Sequence, residues 1–169
     1  VTSSADRHRL NVVLVEPEIP PNTGNVGRLC AATDSILHLV HPLGFRTDDR
    51  HLKRAGLDYW TWITVRYHKD LQSFLAETAG ENLLFFSARR GLRYTEAPYS
   101  PGCFLVFGRE TAGLPKSLLD ENRNATFSIP MWGHGRSLNL STAVGIAVYE
   151  AYRQTGHPSC EPLKGTPQS

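Results

Sequence analysis

The chain has few of the residues that would build a metal site or a disulfide scaffold. Its three cysteines, Cys30, Cys103 and Cys160, show no ligand spacing, and their odd number fits a reducing cytoplasm. Cys30 and Cys103 fall inside apolar patterns and read as buried small hydrophobes. The seven histidines form no HxxxH or comparable cluster, so no metal site is expected. No apolar run approaches the roughly 20 residues that cross a bilayer, and the first nine residues lack the apolar core of a signal peptide. The expectation is a cytoplasmic chain with no membrane partner. There is no GxGxxG after the first strand and no GxxxxGK[ST], which argues against a dinucleotide-binding Rossmann site and a P-loop. Ser137 stands in no GxSxG elbow, so a hydrolase nucleophile is not indicated. A formal charge of +2 identifies no partner by itself.

What is present is the composition of a globular domain, 40% hydrophobic and 20% charged over 169 residues. Leu10–Val15 is a β-branched apolar run ended by Glu16-Pro17, a predicted buried strand. Pro20-Pro21-Asn22-Thr23-Gly24 reads as a loop that hands over to a helix, with Val26, Leu29, Cys30 and Thr33 forming one buried stripe. Further strands are predicted at 36–40, 61–65, 83–86 and 104–107, a short basic helix at 50–56, and helices at 71–79 and 139–154. Strands alternating with helices, two of them continuous apolar runs, predict an α/β fold: a mainly parallel sheet with helices on both faces. The last helix carries Leu140, Ala143, Val144, Ala147 and Ala151 on one side. Thr142, Gly145, Ile146 and Tyr149 lie on the other, so it is expected to pack on two sides, the second against another subunit.

Three loops could carry chemistry. In the first, Asn22-Thr23-Gly24-Asn25-Val26-Gly27-Arg28, Asn22 or Thr23 is a candidate helix cap, and Gly24 permits a tight turn. Arg28 falls near the expected positive end of the helix, where a cation suits an anionic partner better than helix stability; a surface salt bridge explains the spacing equally well. The second, Phe107-Gly108-Arg109-Glu110-Thr111-Ala112-Gly113-Leu114-Pro115, ends a strand at a glycine that lets backbone approach a ring or ribose. Glu110 there is a carboxylate for a ribose hydroxyl, a cationic ligand or Arg28, or merely an acid ahead of the Pro115 helix. The third runs from Ile129-Pro130-Met131 through Gly133-His134-Gly135 to Arg136-Ser137-Leu138-Asn139-Leu140-Ser141, a strand-to-helix passage of the kind that holds ligands in α/β proteins. Basic residues gather at 7–9, 50–54 and 89–93, which could follow a phosphate backbone if the fold gathers them on one face; ordinary solvated surface is the plainer reading.

Taken in order, Asn22-x-Gly24-Asn25-x-x-Arg28, Phe107-Gly108-x-Glu110-x-x-Gly113-Leu114 and Ile129-Pro130-Met131 with Ser137-Leu138-Asn139-Leu140-Ser141 resemble the three motifs of the SPOUT superfamily, in the spacing of the SpoU-type RNA ribose methyltransferases. Glu16–Asn25 and Arg54–Tyr59 are similar to its minimal single-domain branch. The resemblance spans residues 10–158, which it implies form one domain flanked by flexible tails at 1–9 and 159–169. It implies a C-terminal deep trefoil knot, a homodimer, S-adenosyl-L-methionine as methyl donor, and tRNA as substrate. The methyl group would pass to the ribose 2′-OH of the wobble nucleotide, cytidine or uridine 34. A ribosomal RNA or another tRNA position, or an RNA-binding module without catalysis, are the rival readings. By the same resemblance the cofactor lies against Ser87, Gly108, Ile129 and Ser137, with Met131 and Leu138 as adenine walls. Arg28 orients or activates the hydroxyl, Tyr149 contacts RNA or supports the dimer, and Asn25, Glu110 and Asn139 support the site. Arg109 stands where close relatives commonly have proline, which leaves main-chain contacts from Gly108 intact but alters loop rigidity.

Overall fold

A computed structural model describes residues 8–46 and 57–156, excluding the side chains of 57–59. Seven strands form one sheet: β1 (Asn11–Val15), β2 (Ile36–Val40), β3 (Val65–His68), β4 (Leu83–Phe86), β5 (Leu92–Arg93), β6 (Phe104–Phe107) and β7 (Thr126–Ser128). Their order is β3-β2-β1-β6-β4-β7-β5, and every pair is parallel. Helices α1 (Pro20–Thr33), α2 (Leu71–Glu77), α3 (Lys116–Glu121) and α4 (Leu140–Thr155) make the connections that parallel pairing requires.

Side chains alternate through the sheet. Val12 and Leu14 of β1 join Leu105 and Phe107 of β6 in a core shared with Val26 and Cys30 of α1 and Val144, Ala147 and Ala151 of α4. Val13 and Val15 join Phe104 and Val106 on the opposite face, where Phe74 of α2 and Leu118 and Leu119 of α3 cover them. Both faces are therefore dry, which is why the central strands are uninterrupted apolar runs rather than alternating ones. Tyr152 fastens α4 to the end of α1, its hydroxyl donating to Thr33 O at 2.5 Å with Ser35 Oγ 3.0 Å away.

One polar thread crosses this interior. Asn11 Oδ1 lies 3.0 Å from His38 Nε2, His38 Nδ1 lies 2.9 Å from His68 Nε2, and His68 Nδ1 lies 2.8 Å from Glu77 Oε2. Asn11 Nδ2 donates to Gly102 O, so its oxygen is left to accept from His38. Burial, with the neighbouring His68 and Arg66, pulls the His38 pKa down to about 3, and the ring is neutral. Burial pushes the Cys30 thiol up to about 12, in keeping with an inert core position.

Several elements depart from the sequence reading. The predicted strand at 61–65 is a 3₁₀ turn, Leu57–Trp62, followed by β3 three residues further on. Trp60 of that turn lies against α1, where a Cβ at Gly27 would stand 2.9 Å from its ring. The short strand β5 was not predicted, β7 is the strand that the strand-to-helix reading of the third loop placed at Ile129 without bounds, and the predicted helix at 50–56 lies outside the described residues. Helix α1 begins at Pro20, so Pro20–Gly24 is helix rather than loop; two prolines at its first positions cost nothing there because those N–H groups have no intrahelical acceptor. Arg9, assigned above to a flexible tail, is tied down: its Nε donates to Asp34 O and its Nη2 sits 2.9 Å from Asp34 Oδ1.

Candidate active site

At the carboxyl ends of β4, β6 and β7 the sheet opens into a cavity of about 890 Å³. That is where parallel α/β sheets hold ligands, and the size suits a drug-sized molecule. Ser87 follows β4, Gly108 follows β6, and Ile129, Met131, Ser137 and Leu138 come from the passage between β7 and α4; all six line the cavity together with Glu110 and Asn139. Phe86, Phe107, Leu114 and Leu119 add apolar wall. Arg89, Arg109, Lys116 and Arg136 also line it, each largely exposed. Arg109 pairs with Glu16, and Lys116 with Asp120, whereas Arg89 and Arg136 make no ion pair among the described residues.

The three loops are joined by side-chain amides and carboxylates. Asn139 caps α4, its Oδ1 accepting from Ser141 N at 3.0 Å and Thr142 N at 3.4 Å. Its Nδ2 donates to Asn22 Oδ1 at 2.8 Å, and Asn22 Nδ2 donates in turn to Glu110 Oε1 at 3.2 Å. Glu110 also accepts from Glu18 N at 2.8 Å and Ile19 N at 3.0 Å. Its carboxylate thus satisfies donors at the start of α1, where Ile19, the cap residue, offers no side-chain bond.

This geometry corrects four expectations. Neither Asn22 nor Thr23 caps α1; both are buried inside it, and the cap comes from Glu110, about 90 residues away in sequence. Gly24 makes no turn, being a buried residue of the helix. Arg28 lies in mid-helix, beyond the reach of the positive end, and is exposed outside the cavity lining, so the dipole argument does not apply to it. Glu110 is not an open carboxylate, because three donors occupy it. Gly108 is required by the chain itself: a Cβ there would stand 2.1 Å from Gly113 C, where the loop doubles back. Asn25 and Tyr149 are likewise exposed and outside the lining, Tyr149 at 61% exposure on α4. The sequence reading named Arg89 only in a basic cluster and Arg136 only within the third loop, and it gave no role to Glu18, which holds Thr111 from outside the lining. The acid in Glu16-Pro17-Glu18, set just before a helix opened by two prolines, was the available sign for Glu18.

Fold and cavity define a parallel α/β ligand-binding protein whose site is assembled from three strand-end loops. The chain belongs to the SpoU rRNA Methylase family, whose pattern matches residues 9–149. It is 47% identical over 150 residues to the tRNA (cytidine(34)-2'-O)-methyltransferase of Escherichia coli K12, covering 88% of this chain and 96% of that one. Identity to the enzyme of that name in Burkholderia pseudomallei is 48% over 149 residues, with 86% and 96% covered. A solved structure described as giving insights into the 2-OH methylation of C/U34 on tRNA superimposes with a TM-score of 0.82 at 48% identity, covering 88% of this chain and 97% of that one. An AdoMet-bound rRNA methyltransferase from Sinorhizobium meliloti gives a TM-score of 0.78 at 26% identity, covering 88% of this chain and 57% of the other.

Proposed function

We propose that this chain is a tRNA 2′-O-methyltransferase acting on the ribose of nucleotide 34, with S-adenosyl-L-methionine as methyl donor, in the cytoplasm. The observation that carries the reading is the cavity: three loops separated in sequence bring apolar walls and backbone turns together under a rim of exposed cations. The residues fit the cofactor. Ile129, Met131 and Leu138 offer flat apolar contact for an adenine, and the turns at Ser87 and Gly108 offer main-chain groups for its polar edge. Arg89 and Arg136, without carboxylate partners among the described residues, suit the phosphates of an RNA strand.

When bound, the cofactor supplies an electrophilic methyl on its sulfonium. The protein must hold the ribose hydroxyl in line with that methyl and exclude water, a positioning task more than an acid–base one. Arg28 orients the hydroxyl or the adjoining phosphate; a guanidinium is a donor and a poor base. Its exposure on α1, and that of Tyr149 on the neighbouring α4, suits a homodimer in which these helices meet a second copy. Thr142, Gly145, Ile146 and Tyr149 form the unpartnered side of α4 that such a dimer would cover. The trefoil knot of the superfamily belongs to the same reading, supported by an α4 that returns against α1 after the third loop.

The test is methyl transfer to tRNA followed by nucleotide mapping. Transfer to ribose 34 is expected, and none when that ribose is 2′-deoxy. Methylation of the deoxy substrate, or of a different nucleotide only, would refute the assignment.

A further inference from the structure

Glu18 stands behind the wall of the cavity, and nothing in the reaction above uses it. Its carboxylate accepts from Thr111 N at 3.0 Å through Oε2, and from Thr111 Oγ1 at 3.0 Å through Oε1 and 2.8 Å through Oε2. Thr111 is at the tip of the turn that runs from Gly108 to Gly113 and lines the cavity. The turn's ends are closed by Gly113 N donating to Arg109 O at 2.9 Å. Its tip has no such closure. Among the described residues, Thr111 makes no hydrogen bond except those to Glu18.

Glu18 is itself fixed. Its N–H donates to Glu110 Oε2 at 2.8 Å, and Gly44 lies beside its Cα, close enough that a Cβ on that glycine would stand 2.8 Å away. Gly44 N donates to Pro17 O at 2.9 Å, so the backbone on both sides of the acid is anchored. The exchange is therefore reciprocal: the loop's Glu110 holds the backbone at Glu18, and the side chain of Glu18 holds the backbone and hydroxyl of the loop's Thr111. A carboxylate restrained in this way gives up little further side-chain entropy when it takes two donors.

Resting on the cofactor reading above, we propose that Glu18 is a positioning residue for the cofactor loop, holding the Thr111 tip in its binding shape and tying that shape to the start of α1. The consequence falls on cofactor affinity rather than on the chemistry. In Glu18→Ala the tip loses its anchor, and the cofactor must order it on binding.

The test uses the full-length protein, with calorimetric titration of S-adenosyl-L-methionine alongside steady-state methylation of tRNA. Glu18→Ala should weaken cofactor binding and raise its KM by roughly tenfold, the scale of a lost charge-assisted hydrogen bond. The kcat at saturating cofactor and the KM for tRNA should stay within about threefold, since no group touching RNA is removed. Glu18→Gln keeps the acceptor oxygen and should recover most of the affinity. Thr111→Ser should bind as the parent does, Thr111→Val should weaken binding, and adding Thr111→Val to Glu18→Ala should cost little more than Glu18→Ala alone, because the two act through one contact. Unchanged affinity in Glu18→Ala overturns the proposal, as does an equal loss in Glu18→Gln. A drop in the melting temperature of the cofactor-free Glu18→Ala protein that accounts for the weaker binding shows a general structural role instead, and also overturns it. A parent protein that binds no cofactor defeats the proposal together with the reading beneath it, whereas normal parent binding with unaffected variants defeats the proposal alone.

Discussion

At the residue scale, the site divides into groups that hold the loops and groups left facing outward. Glu110, Asn22 and Asn139 belong to the first kind: each bonds protein atoms on another loop. Arg28 belongs to the second, which gives its substitution a clean expectation. Arg28→Ala should abolish methyl transfer while leaving cofactor affinity, measured by calorimetry, within about threefold, because Arg28 does not line the cavity. A variant that still methylates at the parent rate would remove it from the mechanism. Gly108→Ala tests the opposite behaviour. A methyl group placed 2.1 Å from Gly113 C displaces the whole turn, so cofactor binding should fall beyond detection in the same calorimetry. At the same scale Arg109 pairs with Glu16, one more link between the β1 end and the turn.

At the element scale, the largely apolar runs predicted as strands at 10–15, 36–40, 83–86 and 104–107 appear as β1, which begins at Asn11, and as β2, β4 and β6. Those runs are set by burial on both faces, a property that local sequence records. β5, which went unpredicted, is two residues long, and β7, given no bounds, is three, too short for any period to register. Ser87 and Gly108 directly follow predicted strands, and Ile129 and Ser137 lie in the third loop, which is how the resemblance could assign all four to the cavity they line. The cap of α1 could not be assigned, since Glu110 reaches it across the fold and no spacing rule connects positions 18 and 110. The histidines of β2 and β3 were equally silent in sequence, because their pairing depends on strand register: His38 sits beside Arg66, with Val40 opposite His68. They give stability a pH dependence. The ordinary histidine pKa is 6.5 and the folded value for His38 is about 3, so as pH falls below 6.5 the unfolded chain gains a proton that the folded one refuses. Stability should be full above that point and decline by about 1.4 kcal/mol per pH unit below it. Urea midpoints between pH 7 and 5, above the range where carboxylates titrate, would reveal the slope; a flat profile there would show that His38 is not held neutral.

At the scale of the whole molecule, α4 has one face sunk into the core and another bearing Ile146 and the exposed Tyr149. If the proposed dimer covers this second face, Ile146→Arg should shift the sedimenting species to monomer at micromolar concentration and leave the monomer folded by circular dichroism. An unaltered dimer would place the subunit contact elsewhere. No helix among the described residues is long and apolar enough to cross a membrane, and no group of three or more histidine, cysteine, aspartate or glutamate side chains is arranged there to hold a metal ion.

The position of β1 in the sheet has a consequence for how the chain is made. β1 lies between β2, which follows it closely, and β6, whose residues 104–107 come some 90 positions later. On the ribosome, the first three strands can associate early, but one edge of β1 keeps its backbone donors and acceptors open until β6 has emerged. The turn that follows β6 then brings Thr111 to the Glu18 carboxylate. An arrest of synthesis before residue 108 would leave an apolar parallel edge exposed, with no Glu110 to cap α1, and such a nascent chain is a natural client for a chaperone.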